Sequence, residues 1–398
     1  MKIKGIQEIV FICLGVILLE ACSRTETEAE NGLAGQPVVG SIETVNGDSV
    51  WVCRFADLKD TVALPLSTFT EELQIVKLDG REEAIVPVER SLVSEKYILV
   101  YGQAQTPFKL FDKSGNYICN VGSFGQGPGE YQLVCDAQID EADGRIYLLS
   151  WTSTTLLAYD LNGHFVQSIP LPTMVAKGKF MVDSRNSVLS VFSIPYGKVP
   201  YIAWRQDLKG ELLDSVPVRH LAAKPDYSND VFTNKLNESF DVFLFTFFEL
   251  RPDTLYHYGK GNLSPRFTTD FGTKEIPIHY YGELPRHFVG YVAEQKQLGE
   301  ETYATDAPAY YIMDKQTLKG AYYKVENDFF GDMPVWLYSN GGYYTLNMEP
   351  AELKEALKKH LEVKRNLSSG ERERLQKLME SINENDNNYI LYAKLKQK

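Results

Sequence analysis

The sequence is poor in cysteine and contains none of the short motifs that mark the common catalytic and metal sites. Five cysteines occur in 398 residues, and no Cys-x-x-Cys, His-Glu-x-x-His or His-x-x-x-His spacing is found. The Gly-x-Ser-x-Gly elbow of the α/β-hydrolases is also missing. These absences argue against a disulfide scaffold, a zinc ribbon and a helical zinc protease, and we expect neither a metal nor a cofactor.

The chain also lacks an excess of positive charge. It has 41 Lys and Arg against 53 Asp and Glu, a formal net charge of −12. An acidic protein is repelled by phosphate backbones and by anionic lipid surfaces. The composition therefore argues against nucleic acid as a partner.

No apolar run is long enough to span a bilayer comfortably as a helix. Ile9 to Leu19 is apolar, Lys2 and Lys4 precede it, and Leu19-Glu20-Ala21-Cys22 follows. That last string resembles the lipobox of bacterial lipoproteins, which implies cleavage before Cys22 and lipid attached to that cysteine. We expect a lipid-anchored protein of the cell envelope. The acidic stretch from Thr25 to Glu30 resembles surface-export tethers and favours the outer membrane.

The composition divides the chain into three parts: a signal peptide (1–21), a flexible tether (22–48) and one folded domain (49–398). The tether is rich in Ser, Thr, Glu, Gly and Pro, a composition that buries little apolar surface. Cys53, Cys119 and Cys135 lie in the domain, where we expect buried thiols. A disulfide between Cys119 and Cys135 is the alternative, because exported proteins meet an oxidising environment.

One pattern in the domain occurs twice. Phe111-Asp112-Lys113-Ser114-Gly115 returns as Tyr159-Asp160-Leu161-Asn162-Gly163, an offset of 48 residues, and alternating apolar residues flank both copies. The Asp and Gly suit a hairpin turn in which Asp accepts backbone hydrogen bonds and Gly takes a positive φ. A repeat of this length, made of strands and tight turns, predicts a β-propeller. About 300 residues at roughly 45 to 50 residues a blade give six blades.

The C-terminal region departs from the strand pattern. Apolar residues recur at helical spacing in Pro350 to Arg365 and in Glu371 to Asn383, and Ser368 suits the N-cap of the second helix. The sequence thus predicts a helical insertion at about 350–384. A final strand, Tyr389 to Leu395, is expected to pair with an N-terminal strand and to close the ring, because an open blade would leave unpaired edges.

The Asp112 repeat is followed by Gly125-Gln126-Gly127-Pro128-Gly129-Glu130-Tyr131. In these strings the chain resembles the six-bladed β-propeller lipoproteins of the Bacteroidetes, relatives of the NHL and TolB-like propellers. The resemblance implies an all-β, six-bladed propeller exported to the envelope. It implies no biochemical activity.

The glycine-rich heptapeptide invites comparison with a phosphate-binding loop. Strands are expected on both sides of it, however, and no helix N-terminus follows. We interpret it as a structural corner between two blades. Gln126, Glu130 and Tyr131 are candidate ligand contacts if the corner faces the mouth of the channel.

Other candidate site residues are histidines and tryptophans. His279 and His287 lie in an aromatic insertion and are weak candidates for a catalytic role, with packing as the alternative. Trp151, Trp204 and Trp336 support a glycan-binding hypothesis, because exposed aromatic rings stack on sugars; the alternative is that they belong to the core.

Two classes of function remain. The first is a membrane-tethered binding module that presents a propeller face to a protein, a peptide or a glycan. The second is a hydrolase or lyase with an active site at the channel mouth, with or without a metal ion. Without a catalytic motif, the sequence favours the binding module over the enzyme.

Overall fold

The structure is a computed structural model with side chains. It describes the following residues: 32–102, 105–236, 240–251, 253–297, 303–330, 334–363 and 367–397. The predicted signal peptide, Cys22 and the first part of the tether lie outside them.

The chain folds into a six-bladed β-propeller, as the sequence predicts. Blades 1 to 3 are antiparallel sheets of four consecutive strands, with the first strand innermost. Blade 1 is Val88–Val93, Tyr97–Gly102, Phe108–Asp112 and Tyr117–Val121. Blade 2 is Val134–Asp140, Arg145–Ser150, Ser153–Asp160 and Phe165–Val175. Blade 3 is Gly178–Asp183, Val188–Ser193, Tyr201–Asp207 and Leu212–Pro217.

Blades 4 and 5 each contain four antiparallel strands and are extended at their outer edges. Blade 4 is Asp230–Phe232, Phe240–Phe245, Leu255–Gly259 and Asn262–Asp270. Blade 5 is Ile278–Glu283, His287–Ala293, Ala309–Asp314 and Gly320–Glu326, with Pro334–Val335 added to its last strand. Short pieces accompany the blades: the strands Ser123–Phe124, Glu130–Tyr131, Gln295–Gln297 and Tyr303–Thr305, and the 3₁₀ turns Phe55–Asp57, Leu66–Thr68, Glu82–Ala84 and Arg219–Leu221.

Blade 6 is built from both ends of the described chain. Its three inner strands are Ser339–Asn340, Tyr343–Met348 and Tyr389–Lys394, and its outer strand is Gln74–Lys77. Ile390 pairs with Val76 in antiparallel register. The predicted closure of the ring by the C-terminal strand is therefore confirmed.

The N-terminal segment forms a belt around the outside of the propeller. Gly40–Val45 and Asp48–Arg54 form a hairpin, and Asp48–Arg54 pairs in parallel with the outer strand of blade 4. Thr61–Pro65 pairs in parallel with the outer strand of blade 5. The belt thus covers two sheet edges that would otherwise be exposed.

The folded part begins before the expected boundary at residue 49. Leu33 and Val39 are fully buried, and Gly320 donates its backbone N–H to the Pro37 carbonyl at 3.1 Å. The tether assignment for residues 32–48 was wrong. Its polar composition concealed a few apolar side chains that fill gaps between blades.

The repeated turn has the predicted chemistry. Oδ1 of Asp112 accepts the backbone N–H groups of Ser114 and Asn116 at 2.8 and 3.0 Å. Asp160 accepts two backbone N–H groups in the same way, at 2.9 Å each. Gly115 adopts φ 86°. Each of these turns joins the third and fourth strands of a blade.

The core lies between the blades. Each pair of neighbouring blades shares one cluster of buried apolar side chains, so six clusters encircle the channel. Trp204 fills the cluster between blades 2 and 3, and Phe111 fills the one between blades 6 and 1. Large side chains suit this position because flat sheets must pack face to face.

Two helices lie between the second and third strands of blade 6, as predicted. Helix α1 is Pro350–Val363 and helix α2 is Ser369–Ser381. The Ser368 hydroxyl accepts the N–H of Glu371 at 3.2 Å and caps α2. Leu353 and Leu375 pack against the strands of blade 6. Among the described residues, neither these helices nor any other is long and apolar enough to span a bilayer.

Candidate ligand-binding site

A cavity of about 730 Å³ opens where the inner strands of the blades begin. We call it the channel-mouth pocket. It lies at the same end of the propeller as the loops that join one blade to the next, because an inner strand starts where such a loop ends. Its volume is in the usual range for small-molecule sites, roughly 300–1,000 Å³.

One side of the pocket is aromatic. Phe232 stacks on Tyr280 with ring centroids 4.8 Å apart, and Tyr280 stacks on Tyr291 at 5.0 Å. Tyr310 contacts Tyr291 edge to face at 5.4 Å, and Trp336 contacts Tyr310 at 4.9 Å. We call the four rings that line the pocket the aromatic wall: Phe232, Tyr280, Tyr310 and Trp336.

Part of the aromatic wall faces water. Trp336 is 64% exposed and Phe232 is 36% exposed. Tyr338, two residues after Trp336, also lines the pocket and is 41% exposed. Exposed aromatic surface beside a cavity is typical of a binding site, because water at such surfaces is released when a ligand covers them.

Blades 1 to 3 contribute a more polar side. Arg90 and Tyr101 come from blade 1, Asp136 from blade 2 and Lys179 from blade 3. Lys179 Nζ donates to the Cys135 carbonyl at 2.8 Å. Burial raises the pKa of Tyr101 well above its usual value, so its hydroxyl stays protonated.

A buried ion pair crosses the channel next to the pocket. Lys235, which follows the inner strand of blade 4, places Nζ 2.6 Å from Oδ2 of Asp136 in blade 2. Both side chains are only 7% exposed. Lys235 Nζ also lies 4.7 Å from the ring centroid of Phe180 in blade 3. Burial lowers the pKa of Lys235, whereas the Asp136 carboxylate opposes that shift.

A second network of charged side chains connects blades 4 and 5. Glu283 Oε2 is 2.5 Å from Nε2 of His257, and its Oε1 accepts from Lys315 Nζ at 2.5 Å. Burial alone would raise the pKa of Glu283, but these two partners lower it to about 2. Asp241, which also lines the pocket, accepts the backbone N–H of Asn234 at 2.9 Å. Burial raises the pKa of Asp241.

The glycine-rich loop is a corner between blades 1 and 2, and it does not line the pocket. Oε2 of Glu130 accepts the N–H of Gly127 at 2.8 Å. Tyr131 is buried, its hydroxyl donates to the Val121 carbonyl at 2.6 Å, and it accepts the N–H of Phe108 at 2.8 Å. Gln126 is exposed on the same loop. All three candidate residues lie away from the pocket, and the contacts of Glu130 and Tyr131 stay within the corner.

The two candidate histidines are buried in blade 5 outside the pocket. His279 Nδ1 lies 2.9 Å from the Pro277 carbonyl. His287 Nε2 lies 3.7 Å from Oδ2 of Asp314. Burial lowers the pKa of both imidazoles. Their packing against aromatic rings, such as Phe243 beside His279, agrees with the structural interpretation.

The three tryptophans have different environments. Trp204 is fully buried and its Nε1 donates to Gln206 Oε1 at 2.9 Å, so no glycan reaches it. Trp151 is half-buried and stacks on the exposed Tyr227, with centroids 6.5 Å apart, outside the pocket. Trp336 alone of the three lines the pocket.

The polar pocket residues Arg90, Asp136 and Lys179, and Lys235 beside the pocket, were not predicted from the sequence. The first three lie in the first half of an inner strand, and Lys235 follows such a strand. These charged residues in or next to apolar inner strands are the signal that could have identified them. Within the described part of the chain, no group of three or more His, Cys, Asp or Glu residues is arranged to hold a metal ion. The three described cysteines are free thiols, and burial raises the pKa of Cys119 and Cys135 to about 11.

Comparisons with known proteins agree with this architecture. A family model described as a domain of unknown function, DUF4934, matches residues 54–394. A crystal structure from Bacteroides fragilis, of a protein named as an exported one, is 18% identical, with a TM-score of 0.56; the match covers 85% of this chain and 99% of the other. A member of the DUF4221 family from Bacteroides vulgatus is 10% identical, with a TM-score of 0.43, covering 82% and 97%. No curated protein matches significantly. At 18% identity the Bacteroides fragilis structure shows the fold alone.

Proposed function

We propose that this chain, which belongs to the DUF4934 family over residues 54–394, is an exported binding module that holds a carbohydrate in its channel-mouth pocket. The observation that carries the proposal is the aromatic wall. Sugar rings have apolar C–H faces and polar edges, and Tyr and Trp match both because each ring carries a polar atom on an apolar body. The partly exposed ring of Trp336 offers such a face at the pocket entrance.

The polar side chains around the aromatic wall suit the same ligand. Asn234, Thr233 and Asn340 line the pocket and carry amides or a hydroxyl that can bind sugar hydroxyl groups. A pocket with a few polar groups among aromatic rings fixes the orientation of a ligand while its apolar faces supply affinity. A peptide or protein ligand is the competing interpretation, and the test below separates them.

The first experiment is a glycan array probed with the purified protein, followed by calorimetry on the glycans that bind. Trp336→Ala should weaken binding by about tenfold or more, since aromatic anchors dominate binding energy. The matched control is Tyr227→Ala, which removes a ring that is 89% exposed and lies outside the pocket. Binding to no glycan, or equal losses in both variants, would contradict the proposal.

The charged residues of the pocket favour a binding function over a hydrolase or lyase activity. Asp136 is paired with Lys235 and Asp230 with Lys177, so neither carboxylate is poised as a general acid or base. The third carboxylate of the described lining, Asp241, is 1% exposed and accepts the backbone N–H of Asn234. Incubating each bound glycan with the protein and analysing the products by mass spectrometry tests this directly, and cleavage would favour the enzyme.

The location at the cell envelope is part of the proposal. It is supported by the lipobox-like string that ends at Cys22, and the similar Bacteroides fragilis protein is named as exported. A lipid on Cys22, the outer membrane and a kinship with the NHL and TolB-like propellers belong to the same proposal. Cys22→Ser should abolish labelling by a fatty-acid analogue and release the protein from the membrane fraction. Protease treatment of intact cells then tests surface exposure.

A further inference from the structure

We infer that the carbohydrate bound in the channel-mouth pocket carries a carboxylate group, as a uronic acid does. The inference rests on the proposed function, because it concerns the charge of the ligand in the same pocket. It comes from the distribution of charged side chains around the pocket, which the sequence alone does not reveal.

The carboxylates of the pocket are largely neutralised by lysines from outside its lining. Lys235 Nζ lies 2.6 Å from Asp136, which also accepts the backbone N–H of Phe180 at 2.9 Å. Lys177 Nζ lies 3.3 Å from Asp230. These two acidic groups therefore contribute little negative potential inside the pocket.

The third carboxylate is buried and held by backbone and side-chain donors. Asp241 is 1% exposed and accepts from Asn234 N at 2.9 Å and from Thr233 Oγ1 at 3.3 Å. Burial also raises its pKa, which favours its neutral form. It is poorly placed to repel an anion at the mouth of the pocket.

Lys179 keeps donors that are available to a ligand. The only protein acceptor at Lys179 Nζ in the described structure is the Cys135 carbonyl at 2.8 Å, which leaves two of its three N–H donors for a ligand. Arg90 adds a guanidinium to the lining, in contact with Tyr101. The pocket is therefore positive in a protein whose net charge is −12.

Two of the pocket cations, Arg90 and Lys179, come from blades 1 and 3, whereas the aromatic wall comes from blades 4 and 5 and the loop that follows. A third cation, Lys324, comes from the last of the four strands of blade 5. A sugar stacked on the exposed ring of Trp336 would share the pocket with Lys179. A carboxylate of that sugar beside Lys179 would form a charge-assisted hydrogen bond, which is stronger than one between neutral groups.

The experiment compares acidic and neutral glycans of the same array, followed by calorimetry with an oligogalacturonide and its methyl ester, in which a methyl group replaces each negative charge. Uronate-containing glycans should bind at least about tenfold more tightly than neutral ones, because hydrogen bonds to charged groups contribute more. Raising the salt concentration should weaken only the acidic ligands.

Lys179→Met should reduce the affinity for acidic glycans by about tenfold or more and leave neutral glycans unchanged. The matched control is Lys209→Met, at the exposed turn between the third and fourth strands of blade 3, on the opposite face. If Lys179→Met unfolds, Lys179→Gln and the salt dependence of the unmodified protein provide the same comparison.

The outcomes separate the two proposals. A preference for acidic glycans that Lys179→Met removes supports the inference. Equal binding of acidic and neutral glycans overturns the inference and retains the carbohydrate function. Binding to none of the glycans overturns both, and acidic peptides would then be the next ligands to test.

Discussion

Lys235 and Asp136 form an ion pair at 2.6 Å between two blades that are not neighbours in the ring. The residues are 99 positions apart in the chain, and blade 3 lies between their blades. The pair therefore ties blade 2 to blade 4 across the channel.

Breaking this ion pair should destabilise the protein. Asp136→Asn leaves a buried ammonium without its counter-charge, so we expect a loss of about 3–5 kcal/mol in the free energy of unfolding. The double variant Asp136→Leu with Lys235→Met should recover much of that loss, because both charges are gone. Chemical denaturation measures each value.

An exposed ion pair of the same length provides the control. Lys296 and Asp306 are also 2.6 Å apart, but their side chains are 57% and 48% exposed. Asp306→Asn should leave the denaturation midpoint unchanged, since water and salt screen exposed pairs. Equal effects of Asp306→Asn and Asp136→Asn would contradict the importance of burial.

Closure of blade 6 should be essential for stability. Ile390 is fully buried between blades 6 and 1, and its strand holds the outer strand Gln74–Lys77. Ile390→Ala should cost about 2–5 kcal/mol, as in other cores. Deleting residues 387–398 should produce aggregation or a much lower melting temperature, because a sheet edge and an apolar face are exposed.

Val363→Ala is the control for this prediction, since Val363 ends α1 and is 66% exposed. It should melt like the unmodified protein. A deletion of residues 387–398 that also melts normally would show that the C-terminal strand is dispensable.

The corner loop should depend on Gly129 more than on Glu130. Gly129 has φ 74°, and a Cβ atom there would lie 2.4 Å from Cγ of Phe165. Gly129→Val should therefore cost more than the 1–3 kcal/mol that is typical of backbone strain alone. Differential scanning calorimetry should show a smaller change for Glu130→Gln, because a neutral amide retains one acceptor oxygen.

A substitution at Gly197 is the control that separates backbone strain from steric collision. Its φ is 67°, but a Cβ atom would have no neighbour within 4 Å. Gly197→Val should therefore lose less stability than Gly129→Val. The opposite order would indicate that the corner tolerates a side chain at position 129.

The stability of the protein should fall in acid partly through Glu283. Its folded-state pKa is about 2, against an ordinary value of 4.5. A carboxyl group whose pKa is lowered by folding stabilises the protein at pH values above its ordinary pKa. That contribution is lost as the pH falls towards the folded-state pKa. The shift corresponds to about 3 kcal/mol, lost between about pH 4.5 and 2.

The variant Glu283→Gln tests whether Glu283 causes part of the loss of stability in acid. Denaturation at several pH values between 6 and 2 should give a flatter curve for the variant than for the unmodified protein. An equally steep decline in both would assign the acid sensitivity to other carboxylates.

The sequence predicted the fold because the fold repeats locally. The turns at Asp112 and Asp160 are determined by residues close to them in the chain, and so are the caps and apolar stripes of the two helices. The candidate site is different, because its residues lie on separate blades. Nothing in the local sequence distinguishes the exposed Trp336 from the buried Trp204, since both depend on which surfaces meet in the ring.

The early part of the domain was misjudged for the same reason. Leu33 and Val39 lie in a mainly polar segment, and only contacts with distant residues bury them. The pairing of Lys235 with Asp136 could not be predicted from the local sequence either. Sequence patterns predict which segments become strands, whereas burial at a particular position depends on tertiary partners.

Blade 6 also sets an order of events during synthesis. Its outer strand, Gln74–Lys77, is synthesised long before its partner Tyr389–Lys394. A contact between such distant segments forms slowly, since a long loop must close first. The ring therefore stays open until Tyr389–Lys394 has been synthesised, and a product terminated before that strand cannot acquire the native ring.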